Sequence, residues 1–171
     1  CVSEANPRKN FAHVIKSFVK YLEKSKDKNL NLVIVGKKLP HYDYTKDGVN
    51  LDKYKNRIII TGYVDDADLP NLYSGAKIFM YPSLYEGFGL PVLEAMKSGV
   101  PVITADNSSL PEVGGNAVLY VSGFDEDETS KAISKLLNDE SLIKTLKSKE
   151  AKQVKLFSWD NAVNTIMKEL K

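Results

Sequence analysis

Two glutamates and a glycine-bearing turn are the part of the chain best suited to chemistry. Glu86 opens the run EGFGLP, and seven residues separate it from Glu94. Pro91 suits the first turn of a helix, and the free backbone N–H groups at a helix N-terminus favour an anion. A carboxylate accepts hydrogen bonds only, so Glu94 on that helix suits ligand hydroxyl groups. Because such a helix rises about 6 Å from Leu90 to Glu94, one nucleoside diphosphate with its ribose has the reach to contact both.

Two apolar runs position this turn and helix. The runs at Ala76–Tyr81 and Val100–Ala105 predict buried strands before and after it, and Gly99 stands where a left-handed residue ends a helix. The order strand, turn, helix, strand predicts a βαβ unit with parallel strands.

The rest of the chain repeats this alternation. Further strands are predicted at Leu30–Val35, Arg57–Val64 and Ala117–Val121. Helices are predicted at 11–22 with Asn10 as N-cap, after Asp65–Pro70, after Ser108, at Thr129–Leu137, at 142–154 and after a Ser158 cap. This pattern predicts an α/β fold, a doubly wound parallel sheet with helices on both faces. We also expect His13 and His41 at the surface and Trp159 in a packed position.

Composition excludes several classes. The 171 residues suit one domain, and the net charge of +2 with dispersed lysines argues against a nucleic-acid partner. The single cysteine, Cys1, fits a reducing compartment. The chain has no run long enough to span a bilayer, no signal peptide and no initial Met, so we interpret it as a cytoplasmic fragment of a longer protein.

The run from Glu86 to Met96, preceded by Tyr-Pro-Ser and followed by Gly-Val-Pro-Val-Ile, resembles the donor-site signature of glycosyltransferase family 4, the "glycosyl transferases group 1". These are retaining sugar transferases of the GT-B fold. Similar proteins also carry Phe-Ser-Trp near the C-terminus, as at Phe157–Trp159. The resemblance implies that residues 1–171 are the Rossmann-like, C-terminal donor-binding domain, and that the N-terminal acceptor domain is absent from this fragment.

The resemblance also assigns residues. Lys9 would contact the donor diphosphate. The Arg that many relatives carry after the first strand is missing from Val2-Ser3-Glu4-Ala5, so either Arg8 replaces it or this contact is absent. The remaining positions that it implies for the donor are Gly62, Tyr63 and Val64 beside the nucleobase, Gly87, Phe88, Gly89 and Leu90 at the diphosphate, Glu94 at the ribose and Glu86 at the sugar.

The function implied is transfer of a hexose, often mannose, from a GDP- or UDP-linked donor to a growing glycan or lipid-linked saccharide in polysaccharide biosynthesis. We expect no cofactor and no metal, an inactive isolated fragment, and peripheral association of the full-length protein with the cytoplasmic membrane face. The alternative is a non-catalytic nucleotide-sugar binding module.

Two other interpretations are weaker. A nicotinamide-dependent dehydrogenase would need Gly-x-Gly-x-x-Gly after its first strand, and no such run occurs. Asp66-Ala67-Asp68 and Asp125-Glu126-Asp127 have the spacing of metal ligands, but carboxylates at a helix start cap the helix and suit its dipole without a metal.

Overall fold

The computed structural model describes residues 1–2, 6–27, 29–36 and 51–170, with side chains omitted at 51–52. Its strands are β1 (Leu32–Val35), β2 (Ile58–Gly62), β3 (Phe79–Tyr81), β4 (Val102–Ala105) and β5 (Leu119–Val121). Its helices are α1 (Phe11–Lys24), α2 (Leu51–Tyr54), α3 (Leu69–Ser74), α4 (Leu90–Lys97), α5 (Leu110–Gly114), α6 (Glu126–Asn138), α7 (Glu140–Gln153) and α8 (Trp159–Glu169). Short 3₁₀ turns lie at Pro7–Lys9 and Val154–Leu156. All five predicted strands are present in shorter form; the expectation for His41 lies outside the described residues.

Every strand pair is parallel, as predicted for βαβ units. β4 lies between β3 and β5, and β1 pairs with β2. The prediction of one continuous sheet is wrong for the described residues, whose strands form one two-stranded and one three-stranded sheet. Val2 forms an isolated parallel bridge with Val35 of β1. No ladder between described residues joins β1 to β3.

Helices cover both faces of the strands, which makes the fold doubly wound. On one face α1 packs its apolar stripe, including Phe11, Ile15 and Phe18, into a core shared with β1 and α6. On the other face Val92 of α4 and Val113 of α5 belong to a second core with β3 and β4. Each large apolar side chain buried this way contributes about 1.5–3 kcal/mol. These two cores fix α4, and therefore the glycine turn before it, against the sheet.

The packing of α1 on α6 corrects the expectation for His13. Its side chain is only 5% exposed, and its Nε2 lies 2.9 Å from the Thr129 hydroxyl. Burial lowers the pKa of His13, because the charged imidazolium loses hydration. The stripe of α1 is wider than its purely apolar positions indicate, since this histidine finds a hydroxyl partner on α6.

The start of α6 confirms that its acidic block serves the helix. α6 begins at Glu126, three residues before the predicted Thr129, because the Asp125 carboxylate caps it by accepting from the Glu128 N–H at 2.9 Å. The Asp127 carboxylate pairs with Lys20 and Lys24 of α1, each at 2.8 Å. These carboxylates therefore cap a helix and bridge two helices.

The last helix confirms one expectation and overturns another. The Ser158 hydroxyl accepts from the Asn161 N–H at 3.1 Å and caps α8, as predicted. Trp159, however, is 88% exposed, so its expected packed position is wrong. Val163, Ile166 and Leu170 on the same helix are exposed as well, because no described element packs on this face of α8. None of the described helices has the length and apolarity needed to cross a bilayer.

Candidate functional site

The 3₁₀ turn Pro7–Lys9 is held against the loop that follows β3. The Arg8 carbonyl accepts from the Leu84 N–H at 2.7 Å and from the Ser83 hydroxyl at 2.9 Å. The Asn10 amide donates to the Pro82 carbonyl at 3.0 Å and to the Gly123 carbonyl at 2.7 Å. These bonds join three loops at the carboxyl ends of parallel strands, the edge where ligands bind in doubly wound folds.

Asn10 joins these loops through its side chain instead of capping α1 with it. It occupies the N-cap position of α1, but its side chain makes no capping hydrogen bond. Its backbone is left-handed, with φ of 59°, a conformation that asparagine tolerates better than most residues. The prediction of a side-chain cap is wrong because the amide satisfies two loop carbonyls instead.

The docked turn brings Lys9 onto Glu86. The Lys9 ammonium donates to Glu86 Oε1 at 2.7 Å and to the Tyr81 hydroxyl at 2.7 Å. Both side chains of the ion pair are largely buried, with exposed fractions of 15% and 10%. Burial acts to raise the pKa of Glu86, but hydrogen bonds from Lys9, Ser83 and Tyr81 outweigh it and hold that pKa below its usual value. Glu86 is therefore an ionised carboxylate at neutral pH.

The glycine turn is fixed by the loop between β4 and α5. The Ser109 hydroxyl lies 3.0 Å from the Glu86 carbonyl and 2.8 Å from the Phe88 carbonyl, and donates to them. The Ser108 hydroxyl accepts from the Glu86 N–H at 3.0 Å, with the Ser108 backbone at a positive φ of 49°. The turn's carbonyls are thus tied to protein donors, while the N–H groups of Gly87 to Leu90 donate to no acceptor among the described residues. Such a turn presents donors to an anion.

Gly89 explains why the turn needs glycine. It is buried with φ of 107°, which side chains rarely adopt, and an added Cβ would lie 3.0 Å from a methyl carbon of Leu110. α4 begins directly after it with Pro91 in its first turn, and Gly99 follows its end at φ of 70°, both as predicted. The N-terminus of α4 therefore lies where the sequence predicts an anion-binding position.

Glu94 lies on the exposed side of α4 and has a partner from α3. The Tyr73 hydroxyl donates to Glu94 Oε2 at 2.9 Å. Tyr73 is only 3% exposed, and its ring meets that of Phe79 edge to face at 5.2 Å. Burial, and then the charge of Glu94, raise the pKa of Tyr73, so this hydroxyl is a permanent donor.

The remaining predicted residues are placed but less connected. Gly62 ends β2 at φ of 75°, and its carbonyl accepts from the Gly36 N–H at 2.9 Å. Tyr63 is 71% exposed and Val64 half-buried beyond it, while the Arg8 side chain is exposed next to Lys9. No hydrogen bond between described residues joins Gly62–Val64 to the glycine turn, so their place beside a nucleobase stays a prediction.

Sequence reasoning missed the residues that support the site. The local pattern predicts a helix for Tyr73 and a strand for Tyr81 but not their hydroxyl partners, and it predicts only a helix start at Ser108 and Ser109. A signal existed for Tyr81, because it is the last residue of its strand and precedes Pro82 at the functional edge. For Tyr73 the hydroxyl partner depends on how α3 packs on α4, which no local pattern contains.

In the described ranges, no three His, Cys, Asp or Glu side chains are grouped closely enough to hold a metal ion. Asp68 stands at the N-cap position of α3 but makes no side-chain cap hydrogen bond, so the predicted capping role is wrong there. A metal-independent site stays a prediction.

Known proteins resemble this chain in both sequence and fold. The chain matches the family model "Glycosyl transferases group 1" over residues 1–153. It is 50% identical over 100 residues to O-antigen chain mannosyltransferase B of Escherichia coli, covering 58% of this chain and 26% of that protein. It is 38% identical over 110 residues to the serotype-specific mannosyltransferase WbdA of Escherichia coli, covering 64% of this chain and 14% of that protein.

The fold agrees with the sequence match. HepE of Anabaena, in a crystal structure with UDP and glucose, superposes with a TM-score of 0.82 at 21% identity, over 99% of this chain and 46% of that one. The structural neighbours are GT-B glycosyltransferases, and this chain spans less than half the length of these relatives. The Rossmann-like fold, the signature around Glu86 and the family match agree: the chain belongs to the glycosyl transferases group 1 family.

Proposed function

We propose that this chain is the donor-binding half of a retaining glycosyltransferase that moves a hexose, with mannose as the first candidate, from a nucleoside diphosphate to a glycan or lipid-linked acceptor. The observation that carries the proposal is the Lys9–Glu86 ion pair beside the N-terminus of α4, with Glu94 farther along that helix. The mannosyltransferase names of the relatives, and UDP in the HepE structure, support a nucleotide-sugar donor. The acceptor is assigned to the other half of the protein.

The diphosphate is proposed to bind at the glycine turn. Two N–H groups of the Lys9 ammonium donate to Glu86 and Tyr81, and an ammonium has a third for a phosphate oxygen. The N–H groups of Gly87 to Leu90, the helix dipole and the exposed Arg8 add positive potential. As the bond from the anomeric carbon to the phosphate oxygen breaks, the leaving diphosphate gains negative charge, which these groups stabilise.

Glu86 is assigned to the sugar rather than to the phosphate. A carboxylate has about four acceptor positions, and the hydrogen bonds from Lys9, Ser83 and Tyr81 leave about one of them for a sugar hydroxyl. Because Lys9 contacts this carboxylate and has a further N–H for the phosphate, its positive charge would offset the repulsion between the two anions. A charge-assisted hydrogen bond contributes about 1.5–3 kcal/mol, so loss of Lys9 should slow transfer by about one to two orders of magnitude.

Calorimetric titration of the chain with GDP, UDP and ADP in the presence of chelator tests the proposal. We expect binding to at least one diphosphate, weakened in Glu94→Gln and unchanged in Glu140→Gln, which alters an exposed acid at the start of α7. A thermal-shift screen of nucleotide sugars then identifies the sugar. If none of the diphosphates binds either in chelator or with magnesium or manganese, the donor-site assignment is wrong; if binding occurs only with the metal, its metal independence is wrong.

A further inference from the structure

The hydrogen bond between α3 and α4 gives a buried tyrosine a part in ligand binding. Tyr73 presents its hydroxyl to Glu94 Oε2 at 2.9 Å from a ring that is almost completely buried. Glu94 itself is exposed on α4. The bond therefore joins a fixed donor to a carboxylate that would otherwise be a flexible surface side chain.

We propose that Tyr73 is a positioning residue for the ribose: it holds the Glu94 carboxylate in the orientation that accepts from the ribose hydroxyls. This inference rests on the proposed function and adds to it a residue of α3 that touches no ligand. Tyr73 acts through Glu94, so it is not a catalytic residue.

The geometry favours this role because one oxygen is occupied and the other is not. A carboxylate has about four acceptor positions on its two oxygens, and the Tyr73 hydroxyl uses one position on Oε2. Oε1 and the second position on Oε2 are left for the two adjacent hydroxyls of a ribose. Without the tyrosine, the Glu94 side chain would become ordered only when the ligand binds, and the lost side-chain entropy would weaken binding.

The ring of Tyr73 is itself well fixed, which a positioning residue requires. It packs edge to face on Phe79 of β3, within the core beneath α4. Tyr73→Phe keeps this ring packing and removes only the hydroxyl. The alternative is that Glu94 merely satisfies a buried hydroxyl, in which case the variant changes stability and leaves ligand preference unchanged.

The test compares GDP, UDP and ADP with their 2′,3′-dideoxy analogues on the full chain, using calorimetry well below the melting temperature. Wild type should prefer the ribose form of the diphosphate that it binds, and Tyr73→Phe should lose about 2- to 10-fold in affinity for that form, the cost of ordering one side chain. Its affinity for the dideoxy form should not change. In Glu94→Gln the ribose preference should fall, and adding Tyr73→Phe should lower it no further.

Tyr120→Phe is the matched control, because this tyrosine donates to the Gly115 carbonyl at 2.8 Å in the same half of the molecule but does not contact Glu94. It should keep the wild-type ribose preference. If Tyr73→Phe retains the full preference, or loses both ligand forms equally, the positioning role is wrong. If wild type shows no ribose preference, or Glu94→Gln keeps it, the assignment of Glu94 in the proposed function is what fails.

A measurement on folded wild type covers the case in which Tyr73→Phe does not fold. With tyrosines labelled by ¹³C at Cζ, one resonance should respond to Glu94→Gln, and the same resonance should shift when the ribose diphosphate binds but not when the dideoxy form binds. A resonance that is insensitive to both forms, or equally sensitive to both, would overturn the proposal.

Discussion

Lys9 Nζ and Glu86 Oε1 lie 2.7 Å apart although 76 residues separate them in the chain. The pair exists because the Pro7–Lys9 turn docks on the loop after β3, so its strength reports on the assembly of the site. Replacing Lys9 leaves a largely buried carboxylate without its opposite charge, which is more costly than losing the attraction alone.

We therefore expect Lys9→Met to lower the free energy of unfolding by about 1–3 kcal/mol at pH 7. Because the folded pKa of Glu86 lies below its unfolded value, the pair's contribution is present above the unfolded pKa and is lost as pH falls through the folded pKa. Urea denaturation at pH 7 and pH 4 should show a smaller deficit at pH 4. Lys16→Met, which removes a partly exposed partner 3.9 Å from Glu126, should change little at either pH. A deficit equal at both pH values would contradict the charge argument.

The two glutamates should differ in which ligand they serve. Glu94→Gln removes the charge that accepts from ribose, so the bare diphosphate should bind about 1–3 kcal/mol more weakly. Glu86→Gln should hardly affect binding of the bare diphosphate, because the proposed partner of Glu86 is the sugar, but it should weaken binding of the nucleotide sugar. Titration of each variant with both ligands decides this. Equal losses of both ligands in both variants would refute the division of roles, and no loss in either would refute the donor site itself.

Ser109 should affect binding without contacting the ligand. Its hydroxyl ties the carbonyls of Glu86 and Phe88, which leaves the N–H groups of the turn directed elsewhere. Ser109→Ala should cost about 0.5–1.5 kcal/mol of stability and also weaken diphosphate binding, because the turn is no longer fixed. Ser74→Ala removes an exposed hydroxyl that donates to the Asn71 carbonyl and should leave binding unchanged. Titration of both variants with the bound diphosphate tests this, and unchanged binding in Ser109→Ala would show that the turn holds its shape without the serine.

Much of this architecture can be predicted because it depends on the local sequence. The helix that starts at Leu90 follows from glycine and proline chemistry, and the buried β4 from an unbroken apolar run. What could not be read depends on packing between distant elements. Trp159 was expected to pack because large aromatic residues usually do, yet α8 has no described neighbour on its apolar face. His13 lies off the apolar stripe of its helix, which predicts a surface position, and no local pattern shows its hydroxyl partner 116 residues away.

Asn10 should be hard to replace because it combines an unusual backbone with two hydrogen bonds. Asn10→Gly keeps the left-handed conformation but loses both bonds, so we expect a loss of about 1–3 kcal/mol. Asn10→Ala should be less stable still by about 1 kcal/mol, because alanine strains at this φ. Asn10→Asp should be the least stable at neutral pH, since a carboxylate would face two carbonyl oxygens. Urea denaturation of the series tests this order, with Asn161→Ala, an exposed amide donor to Leu156, as the control. If alanine is as stable as glycine, the backbone does not contribute.

Glu150 of α7 should make stability depend on pH in the opposite sense to Glu86. Its side chain is fully buried, and neither carboxyl oxygen has a hydrogen-bond partner among the described residues. Burial raises the pKa of Glu150 to about 8, with a smaller opposing effect of Lys147. The usual pKa of glutamate is about 4.3. Between about that pH and pH 8, the folded chain therefore retains a proton that the unfolded chain has lost.

The contribution of Glu150 to stability should consequently be largest at acidic pH and fall as pH rises toward 8, by up to about 1.4 kcal/mol per pH unit, and then level off. Glu150→Met removes the titrating group and fills the site with an apolar side chain, so its gain over wild type should be much larger at pH 8.5 than at pH 5. Glu140→Met changes an exposed acid on the same helix and should give no such pH-dependent gain. Urea denaturation at the two pH values measures both variants. Parallel stability profiles for wild type and Glu150→Met would mean that Glu150 keeps an ordinary pKa in the folded chain, with water or a cation compensating its burial.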